Sequence, residues 1–266
     1  MKRGEANITY IGGPTALLEV GGLRLLTDPG FDPAETEYKT DVYTLYRISG
    51  PAVSAASLGR IDAVLLSHDH HFDNLDHSGR ALLPRAVRVL TTEAGAERLG
   101  GNAVGLAHWQ QYEIPTRNGR VLRITGTPAR HGPPNGDRGP VTGFVLEYKD
   151  EPGDAIYVSG DTVWYEGVAE VARRFDVSVA VLFMGAARVK EVGPQHLTMT
   201  AKEGVHAAHA FPKAIIVPLH FEGWAHFSES QSAIERTFRK HGLADRLAWF
   251  PAGIATPLLD RPAKAA

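Results

Sequence analysis

The sequence predicts an α/β protein built from two packed β-sheets with helices over their outer faces. Three observations lead there. Short runs rich in Val, Ile and Leu recur along the chain, bounded by Gly, Pro, Asp or Asn, which is the grammar of strands. The runs dominate the early part and later alternate with helix-like stretches, so two sheets sharing a core must bury their other faces under helices. Four of the runs end in His or Asp, which brings polar chemistry to one rim of the sheets.

The strand runs are residues 7–20, 23–27, 63–67, 87–91, 121–126, 141–148, 155–159, 177–183, 214–219 and 246–250. Residues 93–99 and 166–175 read as short helices. Thr200-Ala201-Lys202-Glu203 has the form of a capping box, in which each of Thr200 and Glu203 satisfies a backbone N–H of the other. It opens a helix through Ala210 that Phe211-Pro212 stops. Residues 228–240 carry apolar positions at helical spacing and end before Gly242. Residues 32–56 lack a clear period and contain Tyr38, Tyr43, Tyr46 and Gly50-Pro51. They read either as a lid or pocket wall, since long loops in compact domains are often functional, or as a surface excursion with one short helix. The Pro/Ala-rich tail, residues 260–266, is expected to be flexible. Residues 1–266 otherwise read as a single domain.

A hydrophobic content of 43% and a charged content of 22% suit an ordinary soluble enzyme. The formal net charge of −2 offers no basic footprint for nucleic acid or an anionic membrane. No apolar run approaches the roughly 18–20 residues of a membrane span. Nor does an apolar stretch follow Met1-Lys2-Arg3 to make a signal peptide, so a cytoplasmic location is expected. Cysteine is absent, which excludes disulfides, a thiolate nucleophile and thiolate-held clusters. Any metal must therefore be held by imidazole and carboxylate.

The run Ser67-His68-Asp69-His70-His71-Phe72-Asp73-Asn74-Leu75-Asp76 places three imidazoles and three carboxylates directly behind the apolar residues 61–66. Packing gives no reason to crowd ionisable groups at the mouth of a core strand. A rigid strand end is, however, a good platform for metal ligands. Later strand runs lead into His131, Asp161 and His220. If these strands lie side by side, their ends meet at one edge and can hold one or two divalent ions.

This pattern resembles the metallo-β-lactamase superfamily, whose hallmark is His-x-His-x-Asp-His after a strand, then a distant His, a bridging Asp and a final His. Here His68, His70, Asp73, His131, Asp161 and His220 occur in that order. Leu25-Leu26-Thr27-Asp28-Pro29, Gly160-Asp161-Thr162 and His196-Leu197-Thr198-Met199 are similar to the branch that includes the L-ascorbate-6-phosphate lactonases. The resemblance implies a four-layer αββα sandwich with two mixed sheets. It also implies His68, His70 and His131 at one metal, Asp73 and His220 at a second, and Asp161 bridging. The chain departs from the hallmark at two positions. The aspartate comes one residue late from His68, and Asn74 stands where the family has its last histidine. Counting back from Asp73 gives Asp69-x-His71-x-Asp73-Asn74 instead, but the strand end favours the count from His68 with a one-residue insertion, in which either His71 or Asn74 completes the second position.

The expected cofactor is one or two divalent ions, zinc first and Mn, Fe or Ni as alternatives, because an all-N/O donor set suits each of them. Such an ion lowers the pKa of bound water towards about 7 and makes hydroxide available for attack on carbonyl carbon or phosphorus. The expected activity is hydrolysis of a small ester, lactone or phosphoester, with a lactone favoured by the branch resemblance. Asp73 would orient the nucleophile and shuttle its proton, and His196 would face substrate. Trp164, Tyr165 and His226 are candidates to shape the cleft, and Arg130, Arg138 and Lys190 to meet an anionic substrate. A phosphodiesterase of the N-acylphosphatidylethanolamine phospholipase D type is the enzymatic alternative. A non-catalytic metal-binding protein with a degenerate second site is the alternative of another class. A small-molecule substrate is the expected partner, with no nucleic acid or membrane, and a homo-oligomer is compatible with the sequence.

Overall fold

The computed structural model of the chain describes residues 6–258, so the tail expected to be flexible lies outside the described residues. Two mixed sheets face one another. The first contains β1 (Ala6–Gly12), β2 (Thr15–Val20), β3 (Leu23–Thr27), β6 (Ala63–Leu65), β7 (Val89–Thr91), β8 (Ala103–Gly105) and β15 (Thr256–Pro257), in the order β15-β1-β2-β3-β6-β7-β8. The second contains β9 (Gln111–Pro115), β10 (Val121–Pro128), β11 (Thr142–Tyr148), β12 (Glu151–Val158), β13 (Val177–Phe183) and β14 (Ile215–Leu219), in the order β14-β13-β12-β11-β10-β9. β3, β6, β7 and β8 run parallel, as do β12, β13 and β14, while the remaining pairs are antiparallel.

The period-two alternation of side chains sorts each strand between two cores. Ala16, Leu18, Leu25, Ala63 and Leu65 point between the sheets, where they meet Leu122, Ile124, Phe144, Ile156, Val181 and Val217. Their neighbours Leu17, Leu26, Val64 and Leu66 point outward, into a cluster with Leu82 and Leu83. On the far side, Tyr157, Ala180, Leu182 and Ile216 pack against Val168, Val205, Ile234 and Phe238. These belong to α3 (Glu166–Arg174), α4 (Ala201–Ala210) and α5 (Gln231–Lys240). With α1 (His77–Leu82) and α2 (Glu93–Leu99) on the first sheet, the result is the expected four-layer αββα sandwich. Strands covered on both faces read as unbroken apolar runs, which is why they were plain in the sequence.

Several elements follow from local chemistry. The capping box of α4 is present, with Glu203 N donating to Thr200 Oγ1 (3.2 Å) and Thr200 N to Glu203 Oε2 (2.9 Å). Residues 7–20 form a hairpin that turns at Gly13-Pro14, so one apolar run holds β1 and β2. Residues 246–250, expected as a strand, are not one. Arg246 instead donates to the carbonyls of Ala214 and Phe211 (2.7 and 2.6 Å), and the segment keeps one bridge, Leu247 to Ile216. β9 escaped the sequence pattern because it is an edge strand whose residues alternate between exposed and half-buried.

Residues 32–56 form a small hairpin, β4 (Glu37–Lys39) with β5 (Thr44–Tyr46), ahead of a 3-10 turn at Ala55–Leu58. Tyr38 of β4 is buried against Trp224 and Phe72, and its hydroxyl donates to Asp32 (2.7 Å). Arg47, next to β5, ties the hairpin to the body. It donates to Asp76 Oδ2 (2.7 Å) and to the carbonyl of Gly30 (3.1 Å). Asp76 in turn caps α1, accepting from Gly79 N (2.7 Å). Gly79 has no alternative, since a Cβ there would lie 1.8 Å from the Pro29 carbonyl oxygen.

Candidate metal centre

The ends of β6, β10, β12 and β14 converge on one rim, and the residues after them form a single buried cluster. His68 leaves β6 and His131 leaves β10, while Asp161 and His220 leave β12 and β14. The two sheets touch at this rim, where Thr142 N donates to the Ser67 carbonyl (3.0 Å). Gly160 makes the approach possible. Its φ is +60°, and a Cβ would lie 2.6 Å from the Thr142 carbonyl oxygen. His220 also holds a positive φ of 54°, an uncommon backbone for a non-glycine residue and one that clusters at functional sites. The Gly13 carbonyl fixes it by accepting from His220 N (2.8 Å).

At one end of the cluster three imidazoles meet. His71 Nδ1 lies 2.9 Å from His68 Nε2 and 3.1 Å from His131 Nε2. The outer nitrogens of two rings are already committed. His68 Nδ1 contacts Ser67 Oγ (2.9 Å), whose proton goes to Asp28 Oδ1 (2.6 Å), so His68 Nδ1 must donate. His131 Nδ1 faces the Leu197 carbonyl (2.9 Å) and must donate as well. Both Nε2 atoms therefore present lone pairs to His71 Nδ1, which has at most one proton to give. Burial holds His68 well below the ordinary histidine range and His71 down to about 3, so these rings stay neutral. Neutral imidazole lone pairs converging on one point, backed by Ser67, Asp28 and a carbonyl, are the arrangement that metal-binding histidines require.

At the other end lie carboxylates. His220 Nε2 is 3.4 Å from both Asp73 Oδ2 and Asp161 Oδ1, and His226 Nε2 is 3.0 Å from Asp73 Oδ2. Burial would raise both carboxyl groups. The facing imidazoles of His220 and His226 nonetheless hold Asp73 well below the usual range, and His220 with His131 does the same for Asp161. Asp161 sits between the two ends, its Oδ2 3.5 Å from His131 Nε2. Several buried polar atoms at this end have no hydrogen-bond partner, namely Asp161 Oδ2, Asn74 Oδ1 and both ring nitrogens of His220. Orphaned buried oxygens and an unpartnered imidazole beside ionised carboxylates are groups that a divalent cation would satisfy. The donor set fits the metal expected from the sequence.

The structure brings His68, His70, His71, Asp73, His131, Asp161 and His220 into one cluster, with His71 rather than His70 between His68 and His131. His70, whose ring neighbours those of His68 and His71, turns its Nε2 to the Arg138 carbonyl (2.8 Å), and its side chain is about a quarter exposed. His68 thus keeps the place that the count from the strand end gives it, and the extra residue is accommodated between His68 and His71. Asn74 is fully buried and directs Nδ2 to Asp161 Oδ1 (3.3 Å). His196 does not join the cluster. Its Nε2 pairs with Glu203 at 3.0 Å, an interaction that raises its pKa, so it buttresses the start of α4. Of the expected cations, Lys190 is exposed and Arg130 lies over the Tyr165 ring, whereas Arg138 reaches the site.

A cleft with about 360 Å³ of empty space, open water included, leads to His71, Asp73, His131 and His226. Leu45, Val189, Val192 and Leu197 give it apolar walls, and Tyr43 and Arg138 add polar groups. Asp28 and Arg47 were not singled out as functional from the sequence. Asp28 entered only as part of the motif at residues 25–29 with no role of its own, and the signal for Arg47 was an arginine amid tyrosines.

Comparison with known proteins agrees with this fold. Residues 23–221 match the beta-lactamase superfamily domain. The UPF0173 protein YddR of Bacillus subtilis is 23% identical over 249 residues, which cover 91% of this chain and 95% of the relative. An isothiocyanate hydrolase from Delia radicum gut bacteria superposes with a TM-score of 0.79 at 24% identity, covering 94% of this chain and 98% of that one. A possible metal-dependent hydrolase from Veillonella parvula gives 0.81 at 19% identity, covering 96% and 100%. Among the described residues no helix is long and apolar enough to cross a membrane. With the matched domain spanning most of the chain and a two-sheet sandwich carrying histidines and aspartates on its rim, this protein belongs to the beta-lactamase superfamily.

Proposed function

We propose that the protein is a metal-dependent hydrolase of a small ester or lactone, with zinc as its ion. The observation that carries the reading is the convergence of His68 Nε2, His131 Nε2 and His71 Nδ1, two of them committed as acceptors by partners outside the cluster. Three imidazoles facing one point suit zinc, whose bonds to histidine nitrogen of about 2.0–2.1 Å put tetrahedral ligands roughly 3.3 Å apart. His68, His71 and His131 would hold one ion, Asp73 and His220 a second, and Asp161 would lie between. A bound divalent ion supplies a Lewis acid and a water acidic enough to ionise near neutral pH.

The chain's own groups do the rest. Asp73, ionised and at the cleft floor, accepts a proton from the attacking water and holds its orientation. The Asp28–Ser67 pair keeps His68 in the tautomer that presents Nε2. The apolar walls exclude solvent and fit an uncharged acyl chain or lactone ring better than a phosphoester, for which Arg138 is the one arginine or lysine among the described residues lining the cleft. The test is a panel of lactones, esters and phosphodiesters assayed with zinc-loaded protein. Turnover of lactones or esters that is lost on chelation and regained on zinc addition is expected. Less than about 0.3 ion per chain together with no turnover would leave a non-catalytic protein instead.

Ser67→Ala should weaken zinc binding by roughly 10–100-fold, the usual effect of removing the group that orients a ligand. Competition against a chromophoric chelator reads this directly. An affinity equal to that of the unaltered protein would remove Ser67 from the site's design.

A further inference from the structure

We propose that His226 supplies the second imidazole of the second cation position, where Asn74 stands in place of the family's histidine. The proposal rests on the metal-dependent reading above and concerns how this chain completes the site.

Neither residue left open by the sequence supplies an imidazole at that position. His71 is engaged with His68 and His131 at the other end. Asn74 turns its amide Nδ2 toward Asp161 Oδ1 (3.3 Å), and its unpartnered Oδ1 can offer an oxygen but no imidazole nitrogen. His226 has one. Its Nε2 lies 3.0 Å from Asp73 Oδ2, the oxygen that His220 Nε2 approaches at 3.4 Å, so two imidazoles flank a single carboxylate oxygen. The His226 side chain is only 9% exposed and reaches the cleft floor.

The chain around His226 is held firmly. Arg188 N donates to the His226 carbonyl (2.8 Å) and Ala225 N to the Tyr46 carbonyl (3.0 Å), while Phe227 forms a bridge with Ala187. The ring packs between Trp224 and Phe227, with centroids at 6.0 and 4.7 Å. A histidine fixed by its backbone and neighbours reaches a ligand position with little ordering cost on binding. With His226 the second position has two imidazoles and the carboxylates of Asp73 and Asp161, an N/O donor set of four that suits zinc. The imidazole absent from position 74 would thus be supplied by the segment after β14.

The test titrates cobalt into metal-free protein, following the visible spectrum and the metal content, with circular dichroism to verify folding. The unaltered chain should take two ions. His226→Ala and His226→Gln should keep the first ion unchanged and bind the second more than about 100-fold more weakly, beyond the roughly 10–100-fold expected when only a ligand's hydrogen-bonding partner is lost. Gln retains an N–H for Asp73 but no imidazole nitrogen, so it separates ligation from hydrogen bonding. Adding Asn74→His to His226→Ala should restore the second ion. His226→Gln binding two ions with undiminished affinity overturns the proposal. So does an unaltered chain that hydrolyses substrate with a single ion, an outcome that leaves the hydrolase reading standing. An unaltered chain that takes no ion overturns both.

Discussion

Replacing His71 with Ala should remove the ion held by the three imidazoles and lower kcat/KM by roughly 10³-fold. An ion at the reacting centre contributes several kcal/mol of charge stabilisation, and each 1.36 kcal/mol is tenfold in rate. The neighbouring His70→Ala should retain the ion and lose far less, because His70 Nε2 is committed to the Arg138 carbonyl and the ring stands beside the point where the others meet. The contrast matters because the two residues are adjacent and chemically identical. Elemental analysis of both variants separates them without any knowledge of substrate. A His70→Ala protein that loses its metal while His71→Ala keeps it would reverse the assignment. The core should be little affected by either change, since His70 and His71 lie on the turn beyond the end of β6.

Arg47→Ala should have the largest effect on stability. The Arg47–Asp76 pair is almost completely buried, with side chains 4% and 0% exposed. Removing one partner of a buried pair leaves the other charge uncompensated, which costs about 3–5 kcal/mol. For a chain of this size the loss corresponds to a fall in Tm on the order of 10 °C. Asp76 keeps hydrogen bonds from Asp32 N and Gly79 N, so the helix cap survives, but the β4–β5 hairpin loses its tie to α1. Because Tyr43 and Leu45 of that hairpin region line the cleft, KM should rise with the loss of stability. Thermal melts followed by circular dichroism provide the measurement. A midpoint unchanged by Arg47→Ala would show the pair to be energetically neutral here. Lys213→Ala, which breaks an exposed pair with Asp176, should leave the midpoint unmoved.

The two sheets and the outer helices were legible because each depends on local patterning. Strands such as β6 and β13 are apolar on both faces, and α4 announces itself through Thr200 and Glu203. The short polar elements were not legible. β8 and β9 sit toward sheet edges, α1 has only six residues, and β4 and β5 depend on contacts with Trp224 and Asp76 that lie far away in sequence. At the rim, the convergence of His68, His131, Asp161 and His220 follows from strand order, and the residue pattern anticipated it. The division of labour between His70 and His71 did not follow. It depends on how the turn after Ser67 absorbs one extra residue, and that is set by Arg98 and Arg80 gripping Asp69 and by the Arg138 carbonyl facing His70. The nearness of His226 to Asp73 was equally hidden, since the two lie 153 positions apart in the chain.

That buried histidines and aspartates at the sheet rim grip a divalent ion is tested most directly by diffraction from zinc-loaded crystals, with data collected on both sides of the zinc absorption edge. The expected result is an anomalous peak about 2.0–2.1 Å from His68 Nε2, His71 Nδ1 and His131 Nε2. A rim without any such peak, or a peak bound by His70 with His71 turned away, would contradict it.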